Sequence, residues 1–240
     1  MPDTVLSLLQ VLTKTLRGVF SLFQKMLDSL LPDSCVLCNA LITMGDNSLC
    51  SRCKSSIKRH ELCEQPAESD RYIFYESHHQ LFTYSRNLLK LLYAFKNGGR
   101  LNLSRFFLSS LCFDTIPEFD MVTYVPSSPR KYRKRGFCHT QILAKEIARR
   151  CAKPCRLLLK EHNRFQQKCE HFDGRFLNTI GQFEYISRPL DGARVLLLDD
   201  VLTTGATVNE CARILKKNGA GTVLSLTISR VPVKYQKKTE

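Results

Sequence analysis

The sequence predicts an α/β fold, a parallel sheet flanked by helices, preceded by an amphipathic helix and a small zinc-ribbon module. Three observations predict it. From about residue 72 onward, short apolar runs alternate with segments whose apolar residues recur at helical spacing, the pattern of βα units that stack strands in parallel. Val195–Leu198 is an unbroken apolar run that ends on two acids, as expected of a strand buried on both faces. Cys35-x2-Cys38 and Cys50-x2-Cys53 stand eleven residues apart, in a stretch too short to build a core without a staple.

The first element is residues 4–31. Ser7, Gln10, Lys14, Arg17, Ser21, Gln24 and Asp28 recur at steps of three and four, one narrow polar stripe on a helix that is otherwise Leu, Val, Phe and Met. Lys14, Arg17 and Lys25 interrupt the apolar run, which excludes a good transmembrane span. Three uses remain open: docking on the protein's own core, binding a partner, or peripheral contact with a membrane interface. Pro32 ends the helix.

The elements after the cysteines come in order. Ser85–Phe95 has helical spacing, and Lys96-Asn97-Gly98-Gly99-Arg100 breaks it. A second helix lies near 102–112. Asp120–Val125 reads as a strand ended by Pro126, and Thr140–Arg150 as a helix. After the 195–198 strand, Thr207–Lys217 is a helix stopped by Asn218-Gly219, and Thr222–Ser229 is the last strand. The expected organisation is a helix over 1–32, a zinc-ribbon module over 33–66, the α/β domain over 70–232 and a basic tail over 233–240.

Composition bounds the function. The 240 residues suffice for one full domain and an appendage. Lys and Arg exceed Asp and Glu by 14 charges, a surplus that favours nucleotides, nucleic acid or an anionic membrane surface without choosing among them. Four of the eleven cysteines form the tight pairs and the rest are scattered, unlike a disulfide scaffold. With no cleavable signal peptide evident, the expectation is a reducing cytoplasm, metal-ligating thiols and ordinary buried ones. Four thiolates, Cys35, Cys38, Cys50 and Cys53, can close a tetrahedral zinc site, and a closed site is structural. Cys63 has no such mate, and His78 and His79 read as packing or surface residues before ligands.

The most specific stretch is Val195-Leu196-Leu197-Leu198-Asp199-Asp200-Val201-Leu202-Thr203-Thr204-Gly205-Ala206-Thr207. It sets two acids at the carboxyl end of a buried strand, where open α/β sheets bind ligands. A loop of small hydroxyl and glycine residues then leads into a helix. Its backbone N–H groups, Thr hydroxyls and helix start make an anion cradle suited to a 5′-phosphate, and the carboxylates can accept from vicinal ribose hydroxyls.

This stretch resembles the phosphoribosyl pyrophosphate signature of type I phosphoribosyltransferases. In order along the chain, the Cys35–Cys53 pattern, Phe82-Thr83-Tyr84-Ser85, Lys96 with Gly98-Gly99, Tyr124-Val125-Pro126, Arg130 with Arg135-Gly136-Phe137, Gln167, Arg175-x2-Asn178, Phe183 and Thr222–Arg230 extend the resemblance to the ComF family, competence proteins with a zinc ribbon and a type I phosphoribosyltransferase-like domain. The resemblance implies that Asp199 and Asp200 are the catalytic, ribose-binding acids. It implies that Thr203, Thr204, Gly205, Ala206 and Thr207 hold the 5′-phosphate and that Val125, Pro126, Ser127 and Ser128 contact the pyrophosphate. Magnesium would come with phosphoribosyl pyrophosphate, and transfer would proceed by displacement of pyrophosphate. Lys96, Arg130, Arg133, Lys134, Arg135, Gln167, Arg175 and Asn178 are further candidates for contacts to substrate or nucleic acid. The chain departs from the family at Cys138-His139, where Asn-Gln is usual, and a second cysteine set is missing. The alternative role is a non-catalytic accessory of DNA uptake that holds single-stranded DNA or a competence helicase.

Overall fold

A computed structural model of the chain describes residues 33–42, 48–60, 63–64, 73–109, 111–162, 179 and 181–232. The amphipathic segment 4–31, the tail 233–240, and Gln167, Arg175 and Asn178 lie outside the described residues. The chain divides into two compact units, residues 1–54 and 55–240.

In the first unit, β1 (Asp33–Ser34) pairs antiparallel with β2 (Leu41–Ile42). The chain reverses between them through Asn39, at φ 59°, and Cys35 N–H donates to Ala40 O at 2.9 Å. A short helix, α1 (Ser51–Ser55), begins just after Cys50 and carries Cys53.

The second unit is built on one sheet. Its strands are β3 (Cys63–Glu64), β4 (Ser77–Phe82), β5 (Met121–Tyr124), β8 (Arg194–Leu198), β9 (Val201–Leu202) and β10 (Thr222–Arg230). They run in the order β3-β4-β10-β8-β5, with β9 beside β10. Every pairing is parallel except β3 with β4. The helices are α2 (Arg86–Asn97), α3 (Leu103–Leu108), α4 (Pro129–Arg135), α5 (His139–Arg150) and α6 (Ala206–Lys217). A separate hairpin pairs β6 (Leu159–Glu161) with β7 (Phe183–Tyr185).

Alternation along β8 feeds two cores. Val195 and Leu197 pack with Val208, Cys211, Ala212 and Leu215 of α6, while Leu196 and Leu198 are buried on the opposite face. An aromatic cluster ties helices α2 and α3 to β4. Phe82 stacks on Phe106 with centroids 5.3 Å apart, and Phe95 meets Phe107 edge-on at 5.5 Å.

The predicted parallel strands and their helices are present, with three differences. Lys96 and Asn97 belong to α2, which is capped at its start by Ser85 accepting from Leu88 N–H and runs until Gly98. A Cβ at Gly98 would stand 2.8 Å from Ala94 O, so glycine closes the turn. The helix expected over 102–112 is only Leu103–Leu108. Strand β4, Ser77-His78-His79-Gln80-Leu81-Phe82, carries no alternating pattern, yet all six residues are buried. Its polar groups pair inward: His78 Nδ1 lies 2.8 Å from Ser225 Oγ and His79 Nε2 lies 3.1 Å from Ser77 Oγ. Burial, with neighbouring His79 and His60, holds the His78 imidazole down at about 4, so it is neutral and serves as packing. Among the described residues no helix is long and apolar enough to cross a membrane.

Leu197 sits at the junction of β5, β8 and β10 with 0% exposure. Leu197→Ala removes most of a fully buried side chain. It should destabilise the protein by about 2–5 kcal/mol in urea unfolding followed by circular dichroism. A loss below about 1 kcal/mol would mean that this core collapses around the gap.

Candidate functional site

The site is made by two strand ends lying side by side. Tyr124 of β5 pairs with Leu198 of β8, and Val125 N–H donates to Leu198 O at 2.8 Å. That places Val125-Pro126-Ser127 beside Asp199-Asp200. The acids are fixed from the other flank by β10: Asp199 N–H donates to Leu226 O and Ile228 N–H donates to Asp200 O, each at 3.0 Å. Asp200 N–H also donates to Asp199 Oδ1 at 2.8 Å.

Three further elements close the walls. The turn after β5 enters α4 through Ser128, whose hydroxyl accepts from Lys131 N–H, and Pro129. Gly136, at φ 77°, ends α4 and aims the chain into α5. At the start of α5, Thr140 Oγ1 donates to Val125 O at 2.7 Å, and Cys138 Sγ accepts from Ser127 Oγ at 3.4 Å. The β6–β7 hairpin supplies Glu161, Gln182 and Phe183. Together these residues enclose a cavity of about 280 Å³, with Lys96, Lys131 and Arg135 as its cations and Thr207 at the start of α6.

Asp200 is the most constrained acid. His139 Nε2 stands 2.5 Å from its Oδ2 and Lys96 Nζ forms an ion pair with the same oxygen. A carboxylate only accepts, so His139 donates from Nε2. Burial alone would raise the Asp200 carboxyl, but the His139 hydrogen bond and the Lys96 charge outweigh it and hold the group below the ordinary range. Asp199 goes the other way. Burial, then the adjacent Asp200 charge, push its carboxyl up to about 8. Glu161 is also raised by burial, with Lys131 Nζ 3.9 Å away pulling back. In the free protein the pair of acids thus holds one proton at neutral pH.

Of the residues singled out in the sequence, Lys96, Val125, Pro126, Ser127, Arg135, Asp199, Asp200 and Thr207 line this cavity. Ser128 caps α4 instead. Thr203, Thr204 and Gly205 form the turn before α6, and Ala206 is its first residue. Gly205 takes φ 81°, and Thr204 Oγ1 accepts from Ala206 N–H at 3.4 Å. The run 130–135 lies within helix α4. Arg130, Arg133 and Lys134 are exposed on it and lie outside the 280 Å³ cavity. Sequence reasoning missed Thr140, Glu161 and Gln182 and gave His139 and Phe183 no role, although both, like Lys131, line the cavity. Nothing in the sequence links His139 to an acid 61 positions away, and β6 and β7 are too short to show alternation.

The four cysteines of the first unit form a second site. Their sulfurs all lie within 4.8 Å of one another. Burial would raise the Cys35 thiol, but backbone N–H donors from Cys50, Cys38 and Leu37 bring it down to about 6. Cys53, half-buried beside the other thiols, is pushed up to about 12. Such a set cannot fully ionise without a cation among it, and its donors match tetrahedral zinc.

A phosphoribosyl transferase domain matches residues 142–240. Competence protein ComFC of Streptococcus pneumoniae is 26% identical over 206 residues, 79% of this chain and 91% of that protein. Over most of its length the chain is thus similar to ComF-type competence proteins. The ComFC of Bacillus subtilis is 24% identical, covering 82% of this chain and 83% of its own. The chain also matches about half of DNA utilization protein YhgH of Salmonella typhi, at 31% identity over 112 residues. Among solved structures, orotate phosphoribosyltransferase from Aeropyrum pernix is 14% identical with a TM-score of 0.36, over 77% of this chain and 92% of that one. The fold is type I phosphoribosyltransferase-like, as the strand order and the domain match establish.

The raised Asp199 makes a stability prediction. Between 3.8 and about 8 the folded protein keeps a proton that the unfolded chain has shed, so this group's contribution falls as pH rises and its cost is complete above about 8. Asp199→Asn removes that cost. Its thermal midpoint should exceed that of the wild type by more above pH 8, where the cost is complete, than near pH 5. An equal gain at both would show that Asp199 is not the protonated member of the pair.

Proposed function

We propose that this protein binds phosphoribosyl pyrophosphate with magnesium in the 280 Å³ cavity and displaces pyrophosphate from the anomeric carbon. The observation that carries this reading is the adjacency of two strand ends: Asp199 and Asp200 on one, Val125–Ser127 on the other, fastened by the Val125–Leu198 hydrogen bond. Carboxylates accept from the vicinal ribose hydroxyls. The Thr203–Thr207 turn offers its N–H groups and hydroxyls to the 5′-phosphate at the start of α6, where the helix dipole is positive. Gly205 suits that turn because its positive φ would strain any branched residue. Lys131 and Arg135, flanking Val125–Ser127, neutralise the pyrophosphate.

Magnesium would be held by substrate oxygens and supply charge neutralisation on the leaving pyrophosphate. The chain's own residues do the positioning. As the bond from the anomeric carbon to pyrophosphate breaks, an oxocarbenium-like centre forms, and Asp199 and Asp200 lie on the side where positive charge develops. His139 and Lys96 keep Asp200 ionised for that purpose. The relatives named for competence and DNA utilization support a role for this chemistry or binding in DNA uptake. Zinc in the Cys35, Cys38, Cys50, Cys53 cluster is proposed as a structural ion that lets a short unit fold.

Calorimetry with phosphoribosyl pyrophosphate and magnesium tests the pocket. Binding should tighten as pH rises toward about 8, where Asp199 ionises. Asp200→Asn should weaken it roughly five- to a hundredfold, the worth of a charge-assisted bond at about 1–3 kcal/mol. Thr204→Val should weaken it by less, and Gly205→Val by more. Heat no greater than that given by plain phosphate would overturn the reading.

Elemental analysis tests the metal. Protein purified under reducing conditions should carry one zinc per chain, and Cys50→Ser should lose it while the second unit keeps its cooperative unfolding. Zinc-free wild type would sink the structural-ion assignment.

A further inference from the structure

A second cavity, of about 510 Å³, shares Lys96 and Arg135 with the first and is otherwise walled by Tyr93, Asn97, Lys134 and Phe137, with Gly99 at its edge. Its chemistry differs from that of the first. Three cations line it and no acid does. Lys96 is engaged with Asp200, whereas Lys134 and Arg135 make no ion pair among the described residues. On α2 the apolar residues Leu88, Leu91, Leu92 and Phe95 turn inward, yet Tyr93 stands 69% exposed and lines this cavity. Phe137 comes directly after the left-handed Gly136 and adds a second ring. The side-chain amide of Asn97 offers both donors and an acceptor.

Cations alone fit any anion. Two rings and an amide beside them fit an anion that also carries a flat heterocycle with a hydrogen-bonding edge. We propose that this second cavity binds a nucleotide unit, its phosphate on Lys134 and Arg135 and its base on Tyr93 and Phe137 with Asn97 at the edge. A phosphorylated peptide would leave the rings without a matching face, and a sugar phosphate would leave them bare. The site rests on the phosphoribosyl pyrophosphate reading only through the shared Lys96 and Arg135, since Asp199, Asp200 and Lys131 do not line it. The shared Lys96 and Arg135 wall sets a nucleotide here directly beside whatever anion occupies the first cavity.

The experiment titrates the full chain with adenosine 5′-monophosphate, with ribose 5-phosphate and with a ten-residue deoxyadenylate, in wild type, Tyr93→Ala, Tyr93→Phe and Lys134→Ala. Wild type should bind the monophosphate at least about tenfold more tightly than ribose 5-phosphate, because stacking on an aromatic ring is worth that much or more. Tyr93→Ala should lose about tenfold, Tyr93→Phe should stay within about threefold of wild type, and Lys134→Ala should flatten the salt dependence. Tyr93→Ala should leave binding of phosphoribosyl pyrophosphate unchanged, which separates this site from the first cavity. Oligonucleotide affinity well above that of the monophosphate, with the same loss in Tyr93→Ala, assigns the nucleotide to a strand, and equal affinities assign it to a free nucleotide. The proposal is overturned if ribose 5-phosphate binds as tightly as the monophosphate, if Tyr93→Ala binds like wild type, or if neither nucleotide ligand binds.

Discussion

The constraint on which the rest of the second unit depends is the parallel pairing of β8 between β5 and β10. Parallel strands end together, so one edge of the sheet collects the residues that leave each strand. The two acids emerge there because Val195–Leu198 is held on both sides, and the Val125 turn emerges there because β5 keeps register with β8. Helix α5 then locks the turn through Thr140, and α2 and α5 reach Asp200 through Lys96 and His139. A one-residue slip of β8 would exchange Leu197 for Leu196 in the core and turn both acids away from the cavity.

How much of this was legible in the sequence depends on how local each part is. The acid–loop–helix stretch is contiguous, so its order and its place at a strand end could be read directly. The cysteine pairs were legible for the same reason: a two-residue spacing already fits one ion. Strand β4 was not, because a strand of Ser, His, His and Gln hides its burial. It is stable inside because Ser77 answers the His79 imidazole and Ser225 and Thr227 of β10 answer that of His78, the latter two about 150 positions away. Helix α4 was missed for a different reason. Its residues are nearly all basic, with no apolar stripe, yet Ser128-Pro129 at one end and Gly136 at the other are start and stop signals that could have found it.

The departure at Cys138-His139 also gains a physical account. Cys138 is buried against Ser127 and Thr140, so it supports the turn and leaves nothing reactive in solvent. His139 takes the place of an amide with a group that can carry charge beside Asp200, and its Nδ1 is buried with no partner among the described residues. That orphaned nitrogen makes the ring depend on Asp200 for its orientation, and Asp200 on the ring.

The acids of the free protein are therefore already neutralised from within. Lys96 and His139 occupy one carboxylate oxygen of Asp200, and burial with the Asp200 charge pushes the neighbouring acid toward its protonated form. An incoming ligand does not fall into an open negative trough; it has to replace bonds that the protein makes with itself. The affinity of any ligand is then the difference between two sets of contacts, and a small anion that offers no hydroxyl donors gains little from the trade. Discrimination in this pocket is a property of what the protein gives up as much as of what it gains.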